Sequence, residues 1–163
     1  MEQLITALSD VAAARAATSK PGNFHDNLLS YYHGLGQKLG YSAAVNSSLL
    51  RHGLVLGKLD CIWVKERPVV AVEVEFGGRE EVLRSLWKML ELGPELAVLV
   101  MSSRSRAAFT IAELKTLFER SRLIKPLTQT FLLIDIESGR AEKVEHQQER
   151  YKPIYGTRVK AQD

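Results

Sequence analysis

Six consecutive residues, Leu96 to Met101, are apolar without interruption. A strand with one wet face would alternate apolar and polar side chains; this run offers water no face at all. It therefore reads as a central parallel strand covered on both sides, and it is far too short to cross a bilayer. Helical patterns flank it in sequence. Together they predict an α/β fold: an α/β/α sandwich around a central mixed β-sheet.

The remaining elements fall into place around that strand. Residues 2 to about 18 carry Leu4, Leu8, Val11 and Ala12 as a modest helical stripe, ended by Pro21-Gly22. Asn23 is placed to cap a second helix, with Leu28, Tyr32, Leu35 and Leu39 at helical spacing and Gly40 near its end. A strand is expected from Tyr41 to Val45, then a turn at Asn46-Ser47-Ser48, then a stretch broken around His52-Gly53. Val82, Leu83, Leu86 and Leu90 mark a helix that stops at Gly93-Pro94. A further helix is expected over Ile111 to Ser121 and a strand over Gln129 to Ile136, while residues 137 to 163 read as irregular and polar.

At 163 residues, with 45% hydrophobic and 25% charged residues, the chain suits one globular domain. Residues 1–22 read as an N-terminal helical extension, 24–136 as the core and 137–163 as a basic C-terminal segment. Cys61 stands alone, which excludes an internal disulfide or a cysteine metal cluster. No basic stretch leading into an apolar run follows Met1, so a cytoplasmic protein without a membrane partner is expected. The net charge of +3 permits a nucleic-acid partner without demanding one.

The chemistry lies between residues 57 and 76. Gly57-Lys58-Leu59-Asp60-Cys61-Ile62-Trp63-Val64 and Val69-Val70-Ala71-Val72-Glu73-Val74-Glu75-Phe76 read as two arms of a hairpin around Lys65-Glu66-Arg67-Pro68. If Val64 faces Val69 across that loop, Asp60 faces Glu73 and Lys58 faces Glu75. Residues two apart share a face, so all four project from one side. Directly opposed Cβ atoms lie roughly 4.5–5.5 Å apart, close enough for two carboxylates to hold one cation. Uncompensated, such a pair is costly; a hard divalent cation such as magnesium compensates it. The plainer alternative is a solvated row of charges with Val70, Val72 and Val74 turned inward, and a Lys58–Glu75 ion pair suits either reading.

An Asp in one strand followed by Glu-x-Glu in the next, after a helix, resembles the PD-(D/E)XK superfamily of nucleases, in a Glu-x-Glu variant. The resemblance spans roughly residues 24 to 136 and rests on Gly57-Lys58-Leu59-Asp60 and Ala71-Val72-Glu73-Val74-Glu75-Phe76. It implies a restriction-endonuclease-like fold and a magnesium-dependent DNA endonuclease, with manganese as the expected substitute. Asp60, Glu73 and the backbone carbonyl of Val74 would be the metal ligands. Glu75 occupies the position usually held by lysine. As a base for the attacking water or a holder of a second ion, it joins Asp60 and Glu73 as a catalytic candidate, and Lys58 is a candidate for the missing cation. Members often add an acid from the first helix. His25 lies almost on the Leu28–Tyr32–Leu39 face and Asp26 well off it, and both remain candidates. Arg79, just past Gly77-Gly78, is a candidate phosphate contact, whereas Arg84 and Lys88 read as solvated.

Duplex or branched DNA is the expected partner, and a homodimer the expected assembly, since symmetry brings two sites to two strands. Arg104, Arg106 and the C-terminal Arg150, Lys152, Arg158 and Lys160, with Tyr151 and Tyr155, are candidate phosphate contacts. The rival expectation is a non-catalytic nucleic-acid-binding or assembly domain that keeps the fold.

Overall fold

The computed structural model describes residues 1–104, 108–120 and 129–145. Three helices come first: α1 (Glu2–Leu8), α2 (Val11–Thr18) and α3 (Phe24–Lys38). Strands β1 (Ser42–Arg51), β2 (Leu54–Val64) and β3 (Pro68–Glu75) follow, then α4 (Arg79–Leu92), β4 (Leu96–Met101), α5 (Ile111–Arg120), β5 (Thr130–Asp135) and β6 (Arg140–Glu145). The six strands lie in sequence order in one sheet, with β3, β4 and β5 parallel and the other neighbours antiparallel. The expected α/β class with a mixed sheet is observed.

Alternation along the strands divides the core. Val70, Val72 and Val74 of β3 and Val98 and Val100 of β4 pack with Leu8, Ala14, Leu28 and Tyr32 on one side. Ala71, Ala97, Leu99 and Met101 face Val82, Leu86 and Met89 of α4 and Leu114 of α5 on the other. β4 is buried at every position, which is why its sequence contains no polar residue.

Local departures from the sequence expectations have local causes. The single N-terminal helix is two, because the Asp10 carboxylate accepts from the Ala13 amide (2.9 Å) and starts α2 afresh. These helices belong to the core rather than extending from it: Ile5, Leu8, Val11 and Ala14 are buried there. Arg15 of α2 also donates to the carbonyls of Ile136 and Glu137 beyond β5. Asn46 makes no turn. It takes a left-handed φ of 52° within β1 and the strand continues, a conformation asparagine tolerates better than most residues. The reversal comes instead at His52 (φ 50°) and Gly53 (φ 79°). β6 was not expected, since an edge strand reading Arg-Ala-Glu-Lys-Val-Glu has the charge that protects an edge and looks like a loop. Arg106 and the basic residues from Arg150 to Lys160, with Tyr151 and Tyr155, lie outside the described residues.

Asn23 caps α3 as expected, accepting from the His25 amide at 2.9 Å. Lower on the same helix, Gly36 meets the Trp63 indole so closely that a Cβ would lie 2.6 Å from Nε1. This contact lets α3 lie tight against β2, with its first turn beside the acids.

Candidate functional site

β2 and β3 pair only in part. Cys61 faces Val72, Ile62 faces Ala71 and Trp63 faces Val70, the register expected from the loop, while a shift sets Val64 against Pro68 rather than Val69. Beyond Cys61 and Val72 the ladder stops. β3 continues with β4 as its neighbour, and β2 continues with β1. The hairpin forks, and the two acids sit in the fork.

There the carboxylates take over from the backbone ladder. Glu73 Oε1 accepts from the Asp60 amide at 3.2 Å, and Asp60 Oδ2 accepts from the Val74 amide at 2.8 Å. Asp60 and Glu73 are thus locked to each other's strands. His25, from the first turn of α3, brings Nε2 to 3.5 Å from the same Asp60 oxygen. Its Nδ1 lies 3.6 Å from Asp26, whose side chain is 73% exposed and turned away from the fork.

The cation at this site is Lys88 of α4. Its Nζ lies 2.5 Å from Glu73 Oε2 and donates to the Lys58 carbonyl at 2.8 Å. The solvated outer position expected for Lys88 is therefore wrong. The helix turns it toward the sheet beside Ser85, and its side chain is only 15% exposed. Lys58 contributes its carbonyl alone. Its side chain is exposed, its strand neighbour is Ser48 of β1, and it does not face Glu75, because β3 has already left the ladder on the other side. A signal for Lys88 was present in the sequence. A glycine inside a strand often marks a close approach, and a Cβ at Gly57 would press to 3.2 Å from the Lys88 stem.

Glu75 is half-buried on the same face as Glu73. Its carboxylate accepts from the Gly77 amide at 2.8 Å and lies 3.5 Å from the Ser85 hydroxyl. Arg79 is elsewhere, since it pairs with Glu113 of α5 at 2.5 Å and lies over the Phe109 ring. Next to the fork in sequence, Phe24 and Phe76 meet edge to face at 5.1 Å. They line an open groove of about 370 Å³ with Ser102, Arg104 and Glu137.

Electrostatics single out Glu73. It is 1% exposed, and burial, then the neighbouring Asp60 charge, push its pKa up to about 7 against the opposing pull of Lys88 and Ser85. A carboxyl group held there exchanges its proton near neutral pH. Among the described residues no group of three or more His, Cys, Asp or Glu side chains is arranged to hold a metal ion. The donor set available is two carboxylates with adjacent backbone. No family model matches the chain, and no curated protein or solved structure shows significant similarity to it.

Proposed function

We propose that the chain is a divalent-metal-dependent DNA endonuclease with a restriction-endonuclease-like fold, acting as a homodimer. The observation that carries this reading is the fork. Asp60 and Glu73 meet where the β2–β3 ladder ends, one of them fully buried, with a lysine against it. Asp60, Glu73 and the Val74 carbonyl would hold magnesium or manganese. The fit is chemical, since magnesium takes hard oxygen donors and is content with one or two carboxylates plus waters. When bound, the ion supplies a Lewis acid that acidifies water and neutralises phosphate charge.

The chain's own groups divide the remaining work. The Val74 amide and His25 hold Asp60 in place. Glu75, fixed by Gly77 and Ser85, stands on the same face to accept the proton of the attacking water. Lys88 can turn from Glu73 to the phosphate and offset charge as the phosphorus–oxygen bond breaks. It fills the cationic role that Glu75 leaves vacant in the motif. That weakens the rival reading of a non-catalytic domain, which drew its support from the missing lysine.

The test is nicking of supercoiled DNA in magnesium or manganese. Nicking by the wild type that disappears in Asp60→Asn and Glu73→Gln, with the fold retained by circular dichroism, is the expected result. DNA binding without cleavage in either metal would overturn the nuclease and leave the binding domain.

A further inference from the structure

We propose that the ribbon formed by β1 and β2 beyond the fork is a DNA-binding arm that lies in the major groove beside the cleaved phosphate; this rests on the nuclease reading above. Residues 54 to 59 of β2 have β1 as their only strand neighbour, so the ribbon runs past β3 as two strands, with Lys88 and Glu91 of α4 against it and its other face open. The His52-Gly53 reversal, left-handed at both residues, is the kind of tight turn that keeps a ribbon narrow. A two-stranded ribbon of this kind fits the B-form major groove, which is about 12 Å wide.

Composition indicates the occupant. From Ser42 to Leu59 there is no Asp or Glu, while Arg51, His52 and Lys58 are basic. Arg51 pairs with Glu91 of α4, leaving Lys58 and His52 for phosphates. Leu50, Leu54 and Val55 at the tip are 61%, 68% and 66% exposed, an apolar cluster suited to thymine methyl groups. Asn46 and Ser48 add exposed hydrogen-bonding side chains along the ribbon. A second copy of the chain is a poorer occupant, because the ribbon itself carries no acid to meet the Lys58 of a partner ribbon, and its nearest acid, Glu91, is already paired with Arg51.

The reach is also suitable. From Asp60 to Leu54 the strand runs about 20 Å at roughly 3.3 Å per residue, or about six base pairs at 3.4 Å each. The arm would therefore contact DNA on one side of the cut. RNA duplexes should be excluded, because the A-form major groove is too narrow for side chains to read.

The experiment measures fluorescence anisotropy of a labelled 20-base-pair DNA duplex in EDTA, with nicking assayed in parallel. Leu54→Asp with Val55→Asp should weaken binding tenfold or more, and the milder Leu54→Ser with Val55→Thr at least threefold. Lys58→Ala should lower the salt slope by about one, and an RNA duplex of the same sequence should bind at least tenfold more weakly than DNA. Affinity within twofold of wild type in a folded tip variant, or equal binding of RNA, overturns the arm. So does a wild-type dimer that the tip variants convert to monomer at unchanged DNA affinity, which would assign the tip to self-association. Arm-dependent binding without nicking sinks the nuclease reading and spares the arm, whereas nicking with arm-independent binding does the reverse. A wild type that neither binds nor nicks sinks both.

Discussion

Two acids are buried at the C-terminal half of the parallel strands, and they behave in opposite ways. Asp135, at the end of β5, is 6% exposed, yet it receives the Ser103 amide at 3.0 Å, the Glu137 amide at 3.2 Å and the Ser138 hydroxyl at 2.5 Å. Burial alone would raise its pKa, but those donors outweigh it and the carboxyl is held below its ordinary value. Glu73, in β3, is buried more deeply and meets one amide, one lysine and another acid, and its pKa is raised. A buried acid saturated with donors is a structural joint. One that faces a second acid, with a single lysine too little to offset its burial, keeps a raised pKa, and only this second kind suggests chemistry.

This contrast can be tested by substitution. Glu73→Gln should cut metal-dependent nicking by at least 100-fold while leaving the fold intact, whereas Asp135→Asn should leave most of the nicking and reduce stability. Equal loss of activity in both would erase the distinction. Lys88→Met should lower kcat for nicking roughly 10- to 100-fold, in the range of a lost electrostatic group, with little change in KM; a pure KM effect would make Lys88 a binding residue.

Stability against pH separates the two acids by sign. Glu73 binds its proton more tightly folded than unfolded, so its contribution is present below about pH 4.5. It is lost as pH rises toward about 7, a fall on the order of 3 kcal/mol without metal. Urea melts in EDTA should show this fall and Glu73→Gln should remove it. Asp135 has the opposite linkage, its stabilisation being present at neutral pH and lost as pH falls through the acid range. Asp135→Asn should cost about 1–3 kcal/mol at pH 7, the usual scale for unsatisfied buried donors, and less at low pH.

Much of this was legible before the structure. The unbroken apolar run of β4 gave the layered α/β class, and the loop length gave the register that sets Cys61 against Val72 and so brings Asp60 to Glu73. Lys58 was misplaced because the register was carried past the point where β3 leaves the ladder, and nothing in the alternation of a strand marks the end of its pairing. Lys88 was missed for a related reason. Helical periodicity assigns a flank residue to solvent unless the neighbouring strand is known to pass beneath it. Asp26 shows the reverse case. Its helical angle set it well off the Leu28–Tyr32–Leu39 face, and it is exposed while His25, almost on that face, approaches Asp60.

Gly36 touches none of these groups, yet it sets a tolerance for all of them. A methyl group there would lie 2.6 Å from the Trp63 indole nitrogen, so either α3 or the tryptophan would have to yield. His25, three turns up the same helix, would move with it. A neutral-looking exchange of glycine for alanine could therefore detune the fork from a position that carries no functional atoms. Selection on the acids alone would not protect the site, because its alignment also depends on the absence of one carbon.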